Sequence, residues 1–173
     1  MATTPFVVLG QMLDDLAGLL VRVSPQAYVA RPAPGVSGAV GEHVRHALDH
    51  IAVLLAADVR ETLSYDWRRR GTAIETELTL ALDETLRLKV LAERQADRPL
   101  DEPVFVASKV SASGAEVQGW STIGRELAFV VAHTIHHEAI IALLLAFQGI
   151  QVPPRFGYAP STPAAPPVTL HAA

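Results

Sequence analysis

Apolar residues recur along this chain at helical intervals in four stretches. The first runs from about Pro5 to Val23, where Leu9, Met12, Leu13, Leu16, Leu19 and Leu20 follow the 3.6-residue repeat. Pro5 suits a first helical turn, and Ser24-Pro25 ends the stretch. Residues 30–38 are rich in proline and glycine and read as a loop. The second helix is predicted from Ala39 to Leu63 on Val40, Val44, Ala47, Leu48, Ile51, Leu54 and Leu55. Tyr65 to Gly71 reads as a connection. The third helix is predicted from Thr72 to Gln95, with Thr72 and Glu75 at capping-box spacing.

Ala96 to Gly119 breaks the pattern. Val104-Phe105-Val106 and Val110 lead to Ser113-Gly114, and Val117 follows, so a short β-hairpin or extended excursion is expected. The fourth helix is predicted from Ser121, as N-cap, to Phe147 or Gln148, with Gly149 as its stop. From Val152 the chain is rich in proline and alanine. It is expected to drape over the fold as far as Thr162 and to fray beyond. These elements predict an all-α fold: a four-helix bundle over residues 1–162, with an extended insert between helices three and four and a tail over 163–173.

Composition sharpens this reading. Half of the 173 residues are hydrophobic and only 6% aromatic, so aliphatic side chains must fill the core. There is no cysteine, which excludes disulfides, zinc–thiolate sites and cysteine nucleophiles. The net charge is −4 and the basic residues are scattered, apart from Arg68, Arg69 and Arg70, so nucleic acid is not an expected partner. Met1 to Gly10 has no basic, apolar signal pattern, and no run of about 20 apolar residues occurs. A cytoplasmic protein without a membrane span is expected. Apolar residues on outer helix faces make a homodimer plausible.

The candidate chemistry lies in the histidines. His43, His46 and His50 fall on the second helix, and His133, His136 and His137 on the fourth; His171 is in the tail. His133 and His137 are about 40° apart on the helical wheel and one turn apart along the axis, so both rings can reach one point. Val130, Ile140, Ile141 and Leu144 flank them, which turns the pair inward. His46 and His50 repeat the spacing. A lone histidine on an apolar face is more often a hydrogen-bonded core residue than a ligand. Two inward clusters on two helices shift the balance toward a shared metal ion, because buried imidazoles need polar partners. Spacing does not select the second-helix ligand, and nitrogen donors suit Zn²⁺, Ni²⁺ and Fe²⁺ alike.

Gly41-Glu-His-Val-Arg-His46-Ala-Leu-Asp-His50 and His133-Thr-Ile-His-His137-Glu together resemble the DinB/YfiT-like metalloenzyme superfamily. The resemblance implies a four-helix bundle with three histidine ligands: His133, His137 and, from the second helix, His46, with His50 second and His43 third. His136 is then not a ligand. It also implies a metal-dependent hydrolase or a transferase using a low-molecular-weight thiol, acting on a small-molecule substrate. After the histidine pair this chain reads Glu138-Ala139-Ile140, where the commoner family sequence has Arg-Gly-Gln.

Other residues admit two readings each. Glu126 lies two turns before His133, about 20° from it on the wheel, and is either a general base or a first-turn carboxylate facing the helix dipole. Asp66 with Arg68, Arg69 and Arg70 is either an anion site or, the preferred reading, a solvated connection. Residues 156–162 either close over the metal mouth or pack as an ordinary tail. The alternative to an enzyme is a non-catalytic metal- or pH-responsive binding protein.

Overall fold

The computed structural model describes residues 4–32, 37–67 and 71–163. Its elements run α1 (Pro5–Leu20), α2 (Pro25–Val29), α3 (Val40–Leu55), β1 (Thr62–Leu63), a 3₁₀ turn (Ala73–Glu75), α4 (Leu78–Arg94), β2 (Pro103–Lys109), β3 (Glu116–Thr122) and α5 (Ile123–Ala146). The fold is mixed α/β, which corrects the expected all-α four-helix bundle. The 103–122 segment is no mere insert. It is a hairpin of seven residue pairs, from Pro103↔Thr122 to Lys109↔Glu116. β1 joins β2 in parallel, Thr62 to Phe105 and Leu63 to Val106, making a three-stranded sheet in the order β1-β2-β3.

The helical boundaries shift for local reasons. α1 stops at Leu20, and Ser24 starts a separate short helix, its hydroxyl accepting from the Ala27 amide at 3.1 Å. α3 ends at Leu55, not Leu63, because Asp58 turns back on Arg60 through both its amide and its guanidinium. That turn frees Thr62 and Leu63 to pair with β2. The Thr72–Gln95 stretch splits into the 3₁₀ turn and α4. α5 is capped by Thr122, not Ser121: the Thr122 hydroxyl accepts from the Arg125 amide at 3.2 Å. At its other end Gly149, at φ +73°, allows the Ile150 amide to return to the Leu145 carbonyl at 2.9 Å.

The core lies among the long helices, with α1 against α4 and α3 against both α4 and α5. Leu9, Leu13, Leu16 and Leu20 of α1, Leu48, Ile51 and Leu54 of α3, and Leu88 of α4 are all buried. Each contributes about 2 kcal/mol by leaving water. Val104 of β2 and Leu63 of β1 belong to this core, with Val106 packed against it, while β3 stays exposed along most of its length. α5 is long and apolar enough to cross a membrane by length and composition alone. Here it packs along α3 and carries His137 and Glu138 among its buried residues.

The approach of α3 to the 3₁₀ turn is unusually close. A Cβ on Gly41 would stand 2.1 Å from the Glu75 carbonyl oxygen and 2.6 Å from the Tyr28 ring. Tyr28 is fully buried, and its hydroxyl donates to the Ile74 carbonyl at 2.8 Å. Arg45, also buried, pairs with Glu75 and with Asp49, each at 2.9 Å. These contacts fix the start of α3, and with it the first two histidines.

Candidate metal centre

Facing turns of α3 and α5 bring five imidazoles into one cluster. The Nε2 atoms of His46 and His133 are 3.0 Å apart, and those of His133 and His137 are 3.2 Å apart. His50 stacks on His133 with ring centroids 4.1 Å apart. His46, His50 and His133 each offer a nitrogen within 4.8 Å of the others. His43 meets His137 across the helix pair, Nδ1 to Nδ1, at 3.0 Å. His136 is exposed, on the far side of His137.

Tautomers follow from the carbonyls these rings meet. The Ser37 carbonyl, 3.0 Å from His43 Nε2, can only accept, so His43 Nε2 carries the proton. In a neutral ring His43 Nδ1 is then an acceptor, and His137 Nδ1 must donate to it. That leaves His137 Nε2 as a lone-pair nitrogen pointing at His133. By the same logic His50 donates from Nδ1 to the His46 carbonyl at 3.0 Å and keeps its lone pair on Nε2. Outer nitrogens donating to carbonyls or rings, with inner lone pairs converging, is how metal-ligating histidines are oriented. Burial, reinforced by the neighbouring His133, His43, His136 and His50, pushes the His137 imidazole down to about 3. The ring is neutral at pH 7, the state a ligand needs.

The spacing suits an ion. Two nitrogens bound at 2.1 Å in a tetrahedral site lie about 3.4 Å apart. The observed 3.0 and 3.2 Å separations require only a slight opening of the cluster. On one side a cavity of about 380 Å³ reaches His46, His137 and His43, edged by Glu42, Arg45 and Glu75. On the other side His50 is buried, stacked flat on Tyr65 at 5.2 Å and near Phe129. The cluster therefore has an open mouth toward His137 and a closed floor behind His50.

Glu126 is buried but sits behind the floor. The Ser121 hydroxyl donates to its Oε1 at 2.6 Å. Its link to the histidines is Tyr65, whose phenol is pushed above its ordinary value by burial, then by the Glu126 charge and the hydrogen bond to it. Tyr65, Phe129 and Ser37 carried no signal in the sequence. The first lay in an apparent connection, and the sheet brings it under His50, because β1 ends one residue before Ser64-Tyr65. Asp66 caps the sheet by accepting the Lys109 amide at 2.8 Å. Arg68, Arg69, Arg70 and His171 lie outside the described residues. The 156–162 segment does not cover the metal mouth. Phe156 packs instead on the seam between α1 and α5, beside Val8, Met12 and Ile135.

No family model matches the chain, and no solved structure matches it. One known protein does: FK506-binding protein 5 of Rhizopus delemar is 32% identical over 111 residues, 64% of this chain. The DinB/YfiT-like assignment is thereby corrected; the similarity found is to a protein of another name, and the mixed α/β fold departs from the bundle that assignment implied. The chain spans 29% of the length of FK506-binding protein 5, so the similarity covers a part of that protein.

Proposed function

We propose that this chain is a metal-dependent enzyme of hydrolytic type, with a divalent ion (Zn²⁺, Ni²⁺ or Fe²⁺) held by His46, His133 and His137 and with His50 as the alternative third ligand. The observation that carries this reading is the convergence of Nε2 atoms from two helices at 3.0 and 3.2 Å, with the outer nitrogens of His137 and His50 already engaged. Three ligands leave a position open toward the 380 Å³ cavity, where a small-molecule substrate would enter. An ion there would polarise a carbonyl or lower the pKa of water. Glu126 would act from behind the floor, holding Tyr65 under His50 and so positioning the ligands, and not in contact with the substrate. The same open position would admit a low-molecular-weight thiol, a soft donor for these metals. The cytoplasm, with neither nucleic acid nor membrane as partner, belongs to the same proposal.

The test is hydrolysis of p-nitrophenyl acetate by protein loaded with each metal, with and without an added thiol. Metal-dependent turnover supports the hydrolase, and turnover only with thiol supports the transferase. Stoichiometric metal without turnover in either arm favours a second reading, a non-catalytic metal- or pH-responsive binding protein. That reading draws on the fourth imidazole, His50, which would close the coordination sphere. Glu126→Gln is expected to keep the metal and lose about tenfold in kcat, the effect of a positioning residue. An unchanged kcat removes Glu126 from the reaction.

His43 has its own prediction. It sets the His137 tautomer through the Ser37 carbonyl. His43→Ala is expected to weaken metal binding about 10- to 100-fold. His43→Gln, whose amide oxygen can accept the same Nδ1–H, should recover part of it. Equal affinity of His43→Ala and wild type, measured by chelator competition, contradicts the positioning role.

A further inference from the structure

The face of α5 opposite the histidines holds a second polar feature. Val131, Ile135 and Glu138 lie along it at i, i+4 and i+7, with Glu138 about 140° around the helix from His133. They border a cavity of about 230 Å³ between α1, α5 and the 153–160 segment. Val8 and Met12 of α1 and Phe156 and Tyr158 of that segment complete its mostly apolar wall.

Glu138 is only 6% exposed, yet it borders this cavity. Its hydrogen bond comes from the Gly157 amide. No cation among the described residues forms an ion pair with it. Arg155 borders the cavity too, but its guanidinium donates to the Thr162 carbonyl at 3.0 Å. Asp15 adds a second carboxylate, exposed at the rim. The cavity is built and not incidental. Gly157, at φ +75°, lies directly on the α5 backbone, where a Cβ would come within 2.5 Å of the Ala139 nitrogen. Arg155, at φ +68°, adopts the left-handed backbone beside it.

We propose that this cavity is a binding site for a small organic ammonium ion with an apolar body, its nitrogen paired with Glu138. A buried carboxylate without a cationic partner is costly, and an ammonium group supplies that partner. Phe156 and Tyr158 border the cavity, and aromatic rings attract a cation. The volume holds roughly seven or eight water-sized groups, which suits a ring or short chain carrying one amine.

Calorimetric titration of the full chain with benzylammonium chloride and, separately, with benzyl alcohol tests this. One saturable site for benzylammonium is expected, at least about tenfold weaker in Glu138→Gln, with benzyl alcohol binding far more weakly to wild type. Absence of saturable benzylammonium binding overturns the proposal. So does equal affinity for the alcohol, a result read on wild type without any variant. Unchanged affinity in a folded Glu138→Gln overturns it as well.

Discussion

His133→Ala is expected to abolish stoichiometric binding of Zn²⁺ or Ni²⁺, with an affinity loss of about 10³-fold or more. His133 is the middle ring of the cluster. Its Nε2 stands within 3.0 Å of His46 and 3.2 Å of His137, and its face lies on His50. Every choice of three ligands that fits the geometry includes it. Losing it leaves at most imidazoles that no longer share a common point. The metal-dependent rise in stability should disappear too; for wild type at a hundredfold excess of metal over Kd that rise is about 2.7 kcal/mol. Chelator competition and thermal unfolding with and without metal read both effects. Metal-free melting of the variant serves as the folding control. A folded variant that still binds one ion with wild-type affinity removes the proposed centre. His50→Ala and His137→Ala then sort the third ligand, since only the true ligand should approach the His133→Ala loss.

Gly41→Ala is expected to destabilise the protein by about 4 kcal/mol, beyond the usual range for an alanine substitution. The added methyl would meet the Glu75 carbonyl at 2.1 Å and the Tyr28 ring at 2.6 Å. Neither can yield cheaply. Tyr28 is fully buried and bonded to the Ile74 carbonyl, and Glu75 holds Arg45. Relief requires the 3₁₀ turn to lift from α3, which breaks both anchors at once. Equilibrium unfolding in denaturant measures the loss. A change under about 1 kcal/mol means that the turn does not pack where the structure places it. Gly18, with nothing near its Cβ position, is the control, and Gly18→Ala should be neutral or slightly stabilising.

The amphipathic repeat read from the sequence fell on real helices, because a 3.6-residue apolar stripe has no other way to bury itself. The seam of α1 through Leu9, Leu13, Leu16 and Leu20 is an example. The inward turn of His133 and His137 was legible for the same reason: flanking Val130, Ile141 and Leu144 are buried, and two residues one turn apart share a face.

What pattern could not supply was pairing between distant segments. Thr62 and Leu63 extend the apparent repeat of α3, and only the Asp58–Arg60 turn and the β2 edge draw them into a sheet. That difference changes the fold class and carries Tyr65 under His50. Hydrogen bonds donated to the carbonyls of Ser37 and His46 orient His43 and His50, and a carbonyl leaves no trace in residue identity. Glu138 is buried only because the 153–160 segment lies over it. Which residues share a helical face was therefore legible along the chain, because that is a local consequence of helix geometry. Which faces meet, which histidine nitrogens converge and which carboxylates lose their water were decided by tertiary structure, because each depends on contacts between segments far apart along the chain.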